Sequence, residues 1–330
     1  MLQSPCWETV KSAARSEGVA PLVAFAARPH LPTERPWCDQ TLTRSWRLHD
    51  TALQQLGEIV ILLHGAGVLS IALKGPVLAR RVYSPPFLRK PSGDLDLAVR
   101  LDDMERACRA METAGYSLIT SIREAQLTSY HAVLRHPSRL PVELHFRLSH
   151  GVLGIPVEDF FERAISFQIP AGPEVLVLRP ADELLHLILH LVDDRFAPLF
   201  LSYEVRRIWH AATDEVRQQV IAQAARWHFS GVLTLCSVAI QSIWGEPLLA
   251  AEIVPRTWLH RRLNEKLYLA IAETAGRGED QPLGKRLRGR WLDLQTTDRP
   301  VDALRRIGSL IHVACSQIRR RNWASGRLRK

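Results

Sequence analysis

The sequence predicts an α+β fold: a small mixed β-sheet core flanked by an N-terminal helical segment and a mostly helical C-terminal region. Three observations predict it. Apolar residues recur at spacings of three and four up to His64, alternate in short runs between 68 and 148, and return to helical spacing from about 156. The chain has 330 residues, 46% hydrophobic and 23% charged, which suits a protein that buries a large core.

Each element follows from a local signal. Leu42, Trp46, Leu53, Leu56, Ile59, Val60 and Leu63 mark a helix over 41–64, and Gly65 and Gly67 stop it. VLSIAL (68–73) reads as a short buried strand. Pro76 suits the first turn of a helix, where its missing N–H has no partner to lose, so 76–83 is a short helix and Lys74-Gly75 is the turn before it. The prolines and glycine of SPPFLRKPSG (84–93) make a loop. DLDLAVR (94–100) is a strand, and an amphipathic helix follows to a cap at Gly115. YSLITSI (116–122), SYHAVLRH (129–136) and LPVELHFRL (140–148) read as three further strands. Beyond 156 the expectation is helices interrupted by one strand, EVLVL (174–178). The clearest of these helices, ADELLHLILHLVDD, is started by Pro180 and an acidic first turn.

Composition excludes several classes. No run of eighteen apolar residues exists, so a spanning helix is not expected. MLQSPCWETV lacks the basic-then-apolar order of a secretory signal. Five scattered cysteines with no C-x-x-C pair argue for a reducing, cytoplasmic setting and against a structural zinc site. The net charge of +9 resides in residues 275–330, which hold fourteen Lys/Arg and five Asp/Glu. That basic end reads as a solvated tail, with an anionic partner, nucleic acid or membrane, as the functional alternative.

The chemistry concentrates between 74 and 145. Residues i and i+2 of a strand share a face, so Asp94 and Asp96 project together. Two carboxylates this close repel, and one holds a proton unless a cation sits between them. A magnesium ion removes the conflict, because it takes hard oxygen ligands from carboxylates and phosphates. Glu143 lies on the polar face of its strand, opposite Val142, Leu144 and Phe146. If that strand adjoins the Asp94 strand, three carboxylates converge, enough to hold metal ions for in-line displacement at phosphorus. Gly75 lets backbone approach a ligand closely, the following helix start offers free N–H groups to phosphate, and Lys74 adds a point charge.

These segments together, LKGPVLARRVY, then KPSGDLDLAV, then LPVELHFRL, resemble the uncharacterised nucleotidyltransferase family within the DNA-polymerase-beta-like superfamily. The likeness spans roughly 68–210. It implies a nucleotidyltransferase core over 68–150, a helical lead-in over 1–67, a helical domain over 151–275 and a basic helical segment or tail over 276–330. It also implies Asp94, Asp96 and Glu143 as catalytic metal ligands for Mg2+ or Mn2+, with Lys74 and Gly75 as the nucleotide-binding turn. Lys90, with Arg89 beside it, stands where the family has a basic residue shortly before the aspartates, and lysine lacks arginine's planar fork.

The implied reaction moves a nucleoside monophosphate from a nucleoside triphosphate such as ATP to an acceptor. That acceptor is a small molecule, peptide or RNA, in natural-product or polysaccharide biosynthesis. The alternatives are a metal-dependent glycosyltransferase, which also uses Asp-x-Asp, and a catalytically degenerate module that binds RNA or protein. Among the remaining polar residues, His145 shares the face of Glu143. His186 and His190, at i and i+4, read as core-facing or interhelical. Tyr83, Arg80 and Arg81 read as packing and solvated charge, and the role of Glu204 is open.

Overall fold

In the computed structural model, residues 6–148 and 155–249 are described. The expectations placed on the basic segment 276–330 lie outside them. Eleven helices and seven strands follow in order: α1 (Trp7–Ser16), α2 (Ala20–Ala27), α3 (Arg35–Gly65), β1 (Ser70–Ala72), α4 (Gly75–Val82), β2 (Leu95–Val99), α5 (Met104–Thr113), β3 (Ser117–Leu118), α6 (Ile122–Thr128), β4 (His131–Arg135), β5 (Val142–His145), α7 (Glu158–Phe161), β6 (Ile165–Gln168), β7 (Glu174–Val177), α8 (Pro180–Asp193), α9 (Leu199–Ala211), α10 (Asp214–Arg226) and α11 (Ser230–Trp244). The strands form one mixed sheet in the order β3-β4-β5-β2-β1-β7-β6. No helix among the described residues is long and apolar enough to cross a membrane.

Strand alternation divides the core. Leu95, Leu97 and Val99 of β2 point to one face, where they pack with Leu56, Ile59 and Leu63 of α3 and Met104 and Met111 of α5. Ala98 points to the other face and joins Leu184, Leu185, Ile188 and Leu191 of α8. Each side chain of this size contributes about 1.5–3 kcal/mol when fully buried. α8 is apolar on nearly all sides and correspondingly buried. Its two first-turn acids are paired, Asp182 with Arg163 and Arg179, and Glu183 with Arg81.

Asp96 lies on the face of Ala98, toward α8; Asp94, expected to open the strand, stands just before it and lines a cleft with Asp96. β2 runs parallel to β5 in a register that sets Asp96 opposite Glu143 and Ala98 opposite His145. The two polar faces therefore meet at the end of the sheet where β2 begins.

Two elements and one side chain differ from the sequence expectation. The strand expected over 116–122 is only Ser117–Leu118, and a helix begins at Ile122. The reason is a cap: Ser121 Oγ accepts a hydrogen bond from Glu124 N at 3.3 Å, a serine followed three residues later by glutamate. β6 falls where only helix was expected. It is a mostly exposed strand paired to β7 alone, so its side chains carry little alternating signal. Arg81, read as a solvated charge, sits in the ion pair with Glu183 at 2.8 Å.

Candidate active site

A cleft of about 260 Å3 opens at this end of the sheet. It is lined by Lys74 and Gly75 from the β1–α4 turn, by Lys90 to Asp94 from the loop before β2, and by Asp96 and Glu143. Its far wall comes from Tyr130, His131, His190, Asp194 and Phe200. All six residues singled out in the sequence, Lys74, Gly75, Lys90, Asp94, Asp96 and Glu143, thus face one space.

The turn is conformationally unusual. Lys74 has φ 34° and Gly75 φ 62°. A lysine at positive φ costs of order 1–3 kcal/mol, and such strain persists only where surrounding contacts determine it. Two contacts do so here. Leu73 N donates to Asp96 O at 3.0 Å, and Lys74 Nζ lies 3.3 Å from Asp96 Oδ2. Gly75 is needed twice over, for its φ and for space: a Cβ there would lie 3.2 Å from Ser92 Oγ. The loop before β2 therefore folds back to place the Ser92 hydroxyl against the turn. Sequence reading missed Ser92, because nothing local shows that 84–93 returns to residue 75.

The charges are unevenly matched. Asp96 is buried, which opposes its ionisation, but Lys74 and the His145 hydrogen bond outweigh burial and hold it well below the ordinary carboxylate range. His145 Nε2 donates to Asp96 Oδ1 at 2.9 Å and lies 3.5 Å from Glu143 Oε2. Burial lowers the His145 pKa, yet these two acids more than compensate and raise it. Burial likewise opposes ionisation of Glu143, while His145 and His131 bring it below its usual value. For Asp94 the balance is reversed. Burial, then repulsion from Asp96 and Glu143, push it up to about 6, and Lys74 and His145 offset these effects only in part. Three carboxylates thus share one lysine and one histidine of raised pKa, since burial brings the second, His131, down to about 4. A hard dication suits the excess negative charge and the oxygen donors. In kind, the oxygen donors of Asp94, Asp96 and Glu143 suit the divalent ion that the sequence motif implies. The donor atoms gathered within 4.8 Å of one another among the described residues are those of His131, Glu143 and His145.

The basic residues before β2 separate. Arg89 turns inward, with Nε 2.6 Å from Glu204 Oε1 and an Nη 3.0 Å from Oε2. Tyr83 donates to the same carboxylate at 3.2 Å, which gives Glu204, left open in the sequence, a structural partner set. Lys90 stays at the cleft with Nζ 4.9 Å from the Phe200 ring centroid. The α8 histidines also divide. His186 is buried, with Nδ1 3.2 Å from Leu148 O, and burial lowers its pKa to about 3. His190 departs from the core-facing expectation: one turn on, it reaches the cleft wall with Nε2 3.2 Å from Asp194 Oδ2.

A model of the family described as "Uncharacterised nucleotidyltransferase" matches residues 3–245. Among solved structures, the antibiotic-resistance factor ANT(2'')-Ia is similar at 12% identity with a TM-score of 0.38, over 54% of this chain and 94% of its own. An antigenic nucleotidyltransferase-like protein from Paracoccidioides brasiliensis is similar at 12% identity with a TM-score of 0.34, over 54% of this chain and 88% of its own. No curated protein matches the sequence.

Proposed function

The chain belongs to the uncharacterised nucleotidyltransferase family, and we propose that its cleft transfers a nucleoside monophosphate from a nucleoside triphosphate in a reaction dependent on Mg2+ or Mn2+. The observation that carries this reading is that Asp94, Asp96 and Glu143 line one cleft with the Lys74-Gly75 turn, whose lysine Nζ lies 3.3 Å from Asp96 Oδ2. Anionic and phosphate-binding groups a few ångströms apart suit a ligand that brings both phosphate and a dication.

Each group has a role in the proposal. Asp94, Asp96 and Glu143 hold the cation. A cation held by these carboxylates would supply positive charge to neutralise the phosphates and polarise the phosphorus. Gly75 lets the triphosphate approach the backbone, where the first N–H groups of α4 face it, and the Ser92 hydroxyl adds a donor. Lys74 leaves Asp96 to meet the phosphates, and Lys90 reinforces the positive rim. An acceptor oxygen forms a bond to the α-phosphorus, the bond to the β-phosphate bridge oxygen breaks, and pyrophosphate departs with the electron pair. Catalysis in such a site is positioning and charge neutralisation. The wall of Tyr130, His190, Asp194 and Phe200 faces the acceptor, a small molecule, peptide or RNA.

The test is equilibrium dialysis of the four common nucleoside triphosphates with and without Mg2+. The expected result is metal-dependent binding that Asp96→Asn weakens by at least tenfold while the fold is retained by circular dichroism. Equal binding with and without metal, or none at all, contradicts the proposal.

A further inference from the structure

The polar face of the sheet carries a second donor set, in which Glu143 is joined by two imidazoles that magnesium chemistry does not use. β4 and β5 are antiparallel with His131 directly opposite His145 and Glu143 one diagonal step away. The imidazole centroids lie 5.0 Å apart. Glu143 Oε2 is 3.5 Å from His145 Nε2 and 3.6 Å from His131 Nδ1. One donor atom from each of the three lies within 4.8 Å of the other two. A tetrahedral centre with bonds of about 2.1 Å holds its donors roughly 3.4 Å apart, so little movement is needed to close around an ion.

His131 Nδ1 is buried and makes no hydrogen bond among the described residues, an uncommon state for a polar atom inside a protein. His145 Nε2 gives its proton to Asp96 Oδ1, 2.9 Å away, so an ion taken at this nitrogen displaces that proton. His131 and Glu143 both line the cleft, which gives an ion a path from solvent.

We propose that His131, Glu143 and His145 form a binding site for a borderline transition-metal dication of the zinc and cobalt class, distinct in donor chemistry from the carboxylate position at Asp94 and Asp96. Two imidazoles and one carboxylate are the donor set that zinc accepts and magnesium avoids. Glu143 belongs to both sets and can bridge the two ions. The site rests on the β4–β5 register and stands whether or not the cleft transfers a nucleotide.

The test is titration of the metal-free full chain with Co2+, read by the visible band of a tetrahedral cobalt centre, with Zn2+ then competing for the site. The expected result is a band at one equivalent that Zn2+ abolishes and excess Mg2+ does not. His131→Gln and, independently, the near-isosteric Glu143→Gln each remove the band and weaken Co2+ binding by about 100-fold, the upper end of what even outer-shell changes cause. Circular dichroism confirms that the variant scored is folded. The cobalt band is read without nucleotide, so its presence or loss is scored apart from the nucleotide reading. A wild-type chain that gives no band, a band that persists in either folded variant, or displacement by Mg2+ overturns the proposal.

Discussion

Two buried charge clusters sit side by side in this molecule, and they are built on opposite plans. In one, Arg89 grips Glu204 through two hydrogen bonds, and Tyr83 fills a remaining lone pair. Charge cancels, donors match acceptors, and both side chains are almost fully buried. In the other, Asp94, Asp96 and Glu143 outnumber Lys74 and His145, and the surplus faces a cleft. Burial is costly for any ion, so a closed cluster is explained by its own partners and an open one is not. The difference teaches where a ligand belongs: the site is the cluster whose charge the protein leaves unbalanced.

Mutations can break that contrast. The largest effect on stability belongs to the closed cluster. Glu204→Ala leaves a buried guanidinium unpaired and is expected to cost about 3–5 kcal/mol in denaturant unfolding. The double replacement Arg89→Met with Glu204→Leu is expected to recover most of that loss, because apolar side chains of similar volume tolerate the same site. A double variant as unstable as the single one would show that the cluster's shape, and not its charge balance, matters.

The open cluster should respond in the other currency. Glu143→Gln is expected to lower transfer by about 10²–10³-fold, the effect of removing one preorganised electrostatic group, with an unfolding midpoint close to wild type. A collapse of the fold with this isosteric change would place Glu143 among structural charges. Between the two lies Gly75→Ala. A Cβ at positive φ costs about 1–2 kcal/mol, and the crowding against Ser92 Oγ adds to it. Stability and triphosphate affinity should fall together, which a thermal melt with and without nucleotide would reveal.

The smallest effect is the most diagnostic in sign. The fold raises the Asp94 pKa to about 6 from an ordinary 3.8. The protonated form is therefore favoured in the folded state. Stability from this group is full below about pH 4 and is lost as pH rises through 6. Asp94→Asn removes that loss and should stabilise the metal-free protein by on the order of 1 kcal/mol at pH 7, after screening by water in the cleft, with no gain at pH 4. A destabilised variant at pH 7 would mean that Asp94 is already neutralised by partners within the fold.

The contrast also marks what the sequence could reveal. The open cluster was legible because its parts are periodic and local. Asp94 and Asp96 stand two apart where a strand begins, Glu143 interrupts an alternating apolar strand, and Lys74-Gly75 precedes a proline that fits a helix start. The closed cluster was illegible, since Arg89 and Glu204 are separated by 115 residues and meet only in three dimensions. His131 was likewise missed as a partner of Glu143. Its strand was readable over 129–136, but the register that sets it against His145 depends on how β4 pairs with β5. The helix at 122–128 was legible and overlooked: the Ser121 and Glu124 spacing is a capping signature that outweighs the β-branched residues before it. β6 gave no comparable signal, because a mostly exposed edge strand has little apolar alternation to show.

The central claim is that the unbalanced cluster serves transfer of a nucleotide, with the α-phosphorus as the atom attacked. Its most direct test compares triphosphate labelled at the α-phosphate with triphosphate labelled at the γ-phosphate, each incubated with the protein, Mg2+ and an extract that supplies acceptors. The expected result is α-label on an acceptor and γ-label in pyrophosphate, both lost in Glu143→Gln. Passage of γ-label to an acceptor, or release of pyrophosphate undiminished by Glu143→Gln, would contradict the account.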